Sequence, residues 1–237
     1  MNEPIRLSKR VMESMRCSRM EAEHYIQDGW VSVDGVVVEE PQFRVADQQI
    51  VIDPAARLVP PEPATILFSK PAGIGAGDAS LAMVTPASRW SEDASDIRTL
   101  KRHWKGLIPV LPLEAFASGL GVFTQDRRVM RRMDEEGARI EHELIAEVNG
   151  EIAPGGLEQL AQGMRFEGRA LPPLKVSWQN ENRLRFAVKA PLPGQIAHMC
   201  REVGLELIAL KRIRLGKIPL AKMPPGEWRH LPVNQRF

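Results

Sequence analysis

Few residues in this chain could do chemistry, and most of them fall outside the common catalytic arrangements. The five histidines, His24, His103, His142, His198 and His230, show no metal-ligand spacing with one another or with the two cysteines, Cys17 and Cys200. No metal site is expected. Ser118 lacks the G-x-S-x-G elbow that would make it a nucleophile. Gly73, Gly75 and Gly77 hint at a phosphate cradle, but the G-x-G-x-x-G spacing and a following lysine-serine pair are missing, so a plain loop is expected there and no cofactor. What remains is an uneven spread of charge. Residues 1–53 hold six Lys/Arg against ten Asp/Glu, a net charge of −4, and residues 201–237 hold eight against three, a net of +5. A basic tail can neutralise phosphates, and it can equally be a solvated face.

The chain has 237 residues, room for a small domain and a medium one, with 43% apolar and 26% charged residues, as in ordinary globular proteins. Two distant cysteines without an apolar leader point to a reducing compartment, and the cytoplasm is the expectation. No run approaches 18 apolar residues, so no membrane segment is expected.

The elements that must hold any site follow from periodicity. Residues 6–28 read as two short helices, with Leu7, Val11 and Met15 at helical spacing, then a capping box from Ser18 to Glu21 and an inward set Ala22, Tyr25 and Ile26. The period then drops to two, with Val31, Val33 and Val36 to Val38 flanking the turn signal Asp34-Gly35, and a strand over 49–52. Four prolines in residues 54–63 predict an extended linker. Beyond it, strands are expected at 65–68, 107–113, 143–148, 174–178, 184–189 and 208–215. Helices are expected at 127–138, 157–164 and 193–203, with loop and some helix over 75–105. Strands and helices without regular alternation favour an α+β fold.

The first segment resembles the S4 RNA-binding domain. Arg6-Leu7-Ser8-Lys9 carries the likeness, followed by Ser18-Arg19, Ala22, Ile26, Gly29, Val31 and Val33-Asp34-Gly35 at fixed spacing. The resemblance implies that the two helices present Lys9, Arg10, Arg16 and Arg19 to structured RNA.

The larger segment resembles the catalytic domain of RsuA-type RNA pseudouridine synthases. Residues Pro112 to Asp126, P-L-E-A-F-A-S-G-L-G-V-F-T-Q-D, are similar to that family's active-site loop G-R-L-D-x-x-T-S-G-L-L-L-L-T-N-D. Lys70-Pro71-Ala72-Gly73 is similar to its K-P-A-G motif, and Lys70 joins the expected RNA contacts. The strand over 143–150, the helix Q-I-A-H-M-C, the strand L-K-R-I-R-L-G and the ending P-G-E-W-R-H-L match further motifs. The resemblance implies domains at 1–53 and 64–237 joined by the 54–63 linker. It also implies an S4 domain followed by a mixed, largely antiparallel sheet with flanking helices.

In that family an aspartate acts on the flipped-out uridine, a tyrosine stacks on the base, and an arginine pairs with the aspartate. The matching residues here are Glu114, Leu144 and Ala197. Two readings follow. In one, a monomer binds ribosomal or transfer RNA on a synthase scaffold, with isomerisation weak or lost. In the other, Glu114 works as the carboxylate and a side chain such as Lys189 or Lys211 supplies the missing charge. A general nucleic-acid-binding protein is a third, more distant reading.

Overall fold

The computed structural model describes residues 3–58 and 62–237. The middle of the proline-rich stretch, 59–61, lies outside them. Two compact units emerge, one of Met1–Pro63 with Arg98–Lys105, the other of Ala64–Ile97 with Gly106–Phe237. Residues 98–105 are therefore packed with the first unit, although the sequence leaves them inside a featureless part of the larger segment.

In the first unit, β1 (Ile5–Arg6) leads into α1 (Leu7–Met15), α2 (Arg19–Gln27), β2 (Val31–Val33), β3 (Val36–Val37), β4 (Arg44–Val45) and β5 (Ile50–Ile52). The expected capping box is present, since Ser18 accepts from the Glu21 amide while Glu21 accepts from the Ser18 amide at 2.7 Å. Asp34 and Gly35 both adopt positive φ, 50° and 82°, which a two-residue hairpin turn requires. Leu7, Val11, Ala22, Ile26, Val31 and Val45 close the core. Met15, expected inward, is exposed at the end of α1. The strand pair β1 and β4 has no sequence signal, because each member is only two residues long.

The second unit contains β6 (Thr65–Lys70), α3 (Asp78–Leu81), β7 (Ile108–Pro109), β8 (Ser118–Thr124), α4 (Arg127–Glu136) and β9 (Glu141–Gly150). It continues with α5 (Gly156–Gln162), β10 (Arg165–Phe166), β11 (Arg169–Ala170), β12 (Lys175–Asn180), β13 (Arg183–Lys189), α6 (Gln195–Glu202), β14 (Leu205–Leu215), β15 (Ile218–Pro219) and β16 (Trp228–His230). Nine strands form one sheet whose main path runs β12-β13-β9-β14-β8-β6-β16. Among these pairs, β14 with β8 is parallel and the others are antiparallel. The fold is α+β with a mixed, largely antiparallel sheet, as expected.

Two boundaries differ from the sequence reading. The 107–113 run gives only the two-residue β7, and the rest is loop. The second half of the 112–126 segment is not loop but the central strand β8.

The strand β9 explains how the sheet divides its two faces. His142, Leu144, Ala146 and Val148 alternate with Glu141, Glu143, Ile145 and Glu147. The first set is buried, and Leu144, Ala146 and Val148 join a core with Leu184, Phe186, Leu210, Leu160 of α5, and Ile196, Met199 and Cys200 of α6. The second set carries carboxylates that meet arginines of the neighbouring strands. Glu143 pairs with Arg185 and with Arg214 at 2.5 Å, and Glu147 pairs with Arg183 at 3.0 Å. A second core gathers Leu67, Leu120, Val122, Met133 of α4, Ile140, Leu215 and Phe237. No helix among the described residues is long and apolar enough to cross a membrane.

Candidate active site

The segment matching the family's active-site loop, Pro112 to Asp126, starts as a loop over 112–117 and then enters β8. Two buried cations hold it from below. Lys70, at the end of β6, is 2% exposed. Its ammonium donates to the carbonyls of Pro71 at 2.9 Å, Ala115 at 3.1 Å and Ala117 at 2.6 Å. Burial pushes its pKa down. The Gly73 amide also donates to the Ala115 carbonyl, at 2.8 Å. Lys70 was expected among the RNA contacts, but its position is a correction to that reading. An ammonium that makes three bonds to carbonyls of its own chain, with almost no solvent contact, positions the loop.

Arg212 of β14 is the second cation, 1% exposed. Its Nε donates to the Leu120 carbonyl at 2.7 Å and its Nη1 to the Leu111 carbonyl at 2.8 Å, so it grips both flanks of the loop. Nη1 also lies 3.4 Å from His142 Nδ1. Burial lowers the guanidinium to about 9. Burial first, and the Arg212 charge second, push His142 down to about 3, so this imidazole is neutral at physiological pH. Gly119 permits the close approach of the two strands. Its φ is +98°, and a Cβ there would lie 2.2 Å from the Arg212 carbonyl oxygen.

The three positions that match the family's catalytic residues are gathered around one core but do not touch through functional atoms. Leu113 and Ala117, either side of Glu114, pack on the cluster that contains Leu144 and Ile196. Glu114 itself is half-buried. Among the described residues no hydrogen bond or ion pair reaches its carboxylate. Leu144 is 2% exposed, between Phe186 and Arg212 in the sheet register, and offers no surface for stacking. Ala197 is exposed on α6.

The basic side chains considered as substitutes lie on the wrong face. Directly opposed residues of an antiparallel pair share a face. Lys211 opposes Ile145 and Lys189 opposes Glu141, so both project away from the Leu144 side. Arg212, opposing Leu144, is the cation on the correct face, and it was not singled out from the sequence. The available signal was its place two residues after the apolar, buried Leu210, on the same face of β14. Strand β14 breaks register between Leu207 and Ala209 and again between Arg212 and Arg214, which hides the alternation.

In the first unit, Lys9 and Arg16 are exposed, and Arg19 is exposed while paired with Glu23 at 2.8 Å. Arg10 is half-buried and donates to the Ala46 carbonyl at 3.1 Å. The acidity of this segment is answered within the unit. Arg98 pairs with Asp53 at 2.5 Å, Lys101 with Glu40, and Arg102 with Asp28. Among the described residues no group of three or more His, Cys, Asp or Glu could hold a metal ion. The Cys200 thiol is buried and pushed up to about 12, so it stays protonated.

No family model matches the chain. Its relatives are nevertheless consistent. It is 27% identical over 233 residues to the dual-specificity RNA pseudouridine synthase RluF of Salmonella typhi, covering 95% of this chain and 75% of that protein. It is likewise 27% identical to RluF of Escherichia coli K12, covering 96% and 75%. An uncharacterized RNA pseudouridine synthase of Aquifex aeolicus is 24% identical, covering 96% of this chain and 92% of its own. Among solved structures, a pseudouridylate synthase aligns over 96% of both chains with a TM-score of 0.60 at 17% identity, a likeness that speaks for the fold alone. With the loop, strand and helix motifs placed around one core, the chain is similar over nearly its whole length to RNA pseudouridine synthases, and it shares their fold.

Proposed function

We propose that this protein binds structured RNA, ribosomal or transfer, on a pseudouridine synthase scaffold, as a cytoplasmic monomer whose uridine isomerisation is weak or lost. The observation that carries the proposal is the isolation of Glu114, whose carboxylate has no cationic partner among the described residues, above a Leu144 sealed in the core. A longer carboxylate displaced by about 1 Å can lose on the order of 10²-fold in rate. Replacing a ring by leucine removes base stacking of roughly 1–3 kcal/mol. RNA affinity rests on the S4-like first unit, where Lys9, Arg16 and Arg19 stand exposed and the acidic residues facing Arg98, Lys101 and Arg102 are already neutralised.

One observation favours a second reading, an active synthase. Arg212 lies on the Leu144 face, and its Nη2 has no hydrogen-bond partner among the described residues. That donor is the available replacement for the cation missing at Ala197.

Pseudouridine formed per protein on a panel of ribosomal and transfer RNAs separates the two. Retained RNA binding with little or no product is the expected result. Turnover of about 1 per second or faster, abolished by Glu114→Gln, would overturn the proposal and make Glu114 a catalytic residue.

A further inference from the structure

One aromatic side chain lies on the loop itself. Phe116, two residues after Glu114, is 46% exposed. Single exposed apolar residues are common and need no explanation. This one differs in the rigidity of its mount. The carbonyls on either side of it, those of Ala115 and Ala117, both accept from the buried Lys70 ammonium. The Ala115 carbonyl also accepts from Gly73, and the Ala117 amide donates to the Glu114 carbonyl at 3.1 Å. The backbone around Phe116 is therefore fixed by four hydrogen bonds while its ring faces solvent.

We infer that Phe116 is a stacking platform for an unpaired RNA base. The inference rests on the RNA-binding reading and names the chemistry that the loop recognises. An exposed ring on a fixed main chain gives up only its own rotamer freedom when a flat partner covers it, and nucleobases stack on aromatic faces without regard to sequence. The surroundings select a base over a phosphate. Glu114, two residues before the ring, carries a charge that repels the RNA backbone, and the Lys70 ammonium that holds the flanking carbonyls is buried and already bonded to three of them. The neighbouring exposed residues, Ala72, Gly73 and Ala115, are small and let a planar group approach. The ring thus restores, on the surface of the loop, a stacking function that the buried Leu144 cannot perform.

The full-length protein is titrated with a fluorescent eight-nucleotide oligouridylate, with an abasic oligonucleotide of the same length, and with total ribosomal RNA. Because Phe116 is exposed, its substitution leaves the fold in place, and thermal unfolding of each variant verifies this. Phe116→Ala is expected to weaken oligouridylate binding by about 5- to 150-fold, the range for loss of one stacked base. Binding of the abasic probe should stay within about twofold, since no base is present to stack. Phe116→Leu should lose affinity as the alanine variant does, and Phe116→Trp should keep it. If oligouridylate binding is unchanged in the alanine variant, or if leucine serves as well as phenylalanine, the inference is wrong while the RNA-binding reading stands. If the unmodified protein binds neither oligouridylate nor ribosomal RNA, the reading and the inference fall together.

Discussion

The underside of the loop and its upper side are built on opposite terms. Below, Lys70 and Arg212 direct five hydrogen bonds to main-chain carbonyls, and both cations are almost wholly buried. Above, Glu114 has no partner among the described residues, and Ala197 has no polar group at all. A buried donor left unmade costs roughly 1–3 kcal/mol, whereas an exposed group left alone costs almost nothing. The underside is therefore under a folding constraint, whatever chemistry the loop performs. The upper side is free to change, so its residues report on function and the lower ones report on folding.

The contrast is broken most severely at Arg212. Arg212→Leu leaves the carbonyls of Leu111 and Leu120 without their donor, and stability should fall by about 3 kcal/mol, read from urea unfolding. A loss below about 1 kcal/mol would mean that the underside is not held as described.

Acid sharpens the same point. The His142 pKa is depressed to about 3 in the folded protein and is about 6.5 when unfolded, so the unfolded chain binds more protons between these values. The stabilisation from keeping this imidazole neutral is complete above pH 6.5 and declines as the pH falls toward 3. The slope from this residue is up to about 1.4 kcal/mol per pH unit. His103, lowered to about 4 chiefly by burial, adds to the slope over its own range. Unfolding measured from pH 7 to 4.5 should show a shallower decline in His142→Gln than in the unmodified protein.

The smallest effects belong to the upper side. Glu114→Gln and Ala197→Arg should each shift stability by no more than about 0.5 kcal/mol, as exposed or unpartnered positions do. Should either cost as much as Arg212→Leu, the division between folding and function across the loop would collapse.

The sequence made some of this legible and concealed the rest for physical reasons. The first unit could be read closely, because its signals are local. The Ser18 to Glu21 capping box and the Asp34-Gly35 turn act within four residues. Strand β8 was harder, since Ser118-Gly119-Leu120-Gly121 carries two glycines, which weaken strand propensity, and its role depends on a non-local approach to Arg212. The positions of Glu114, Leu144 and Ala197 could be named from motifs. Whether each was open or sealed could not, because burial depends on what α6 and β13 bring against them. Arg212 and His142 were missed because their importance lies in a shared burial 70 residues apart.

The placement of residues 98–105 in the first unit has a consequence for synthesis. By the time Pro63 has been made, Asp28, Glu40 and Asp53 exist, but their partners Arg102, Lys101 and Arg98 do not. At roughly 5–20 residues per second, the interval before Lys105 is added is about 2–8 s. During it the nascent unit is an acid-rich fragment in which these three carboxylates lack their cations. The first unit is thus completed only after residues 64–97 of the second have been made.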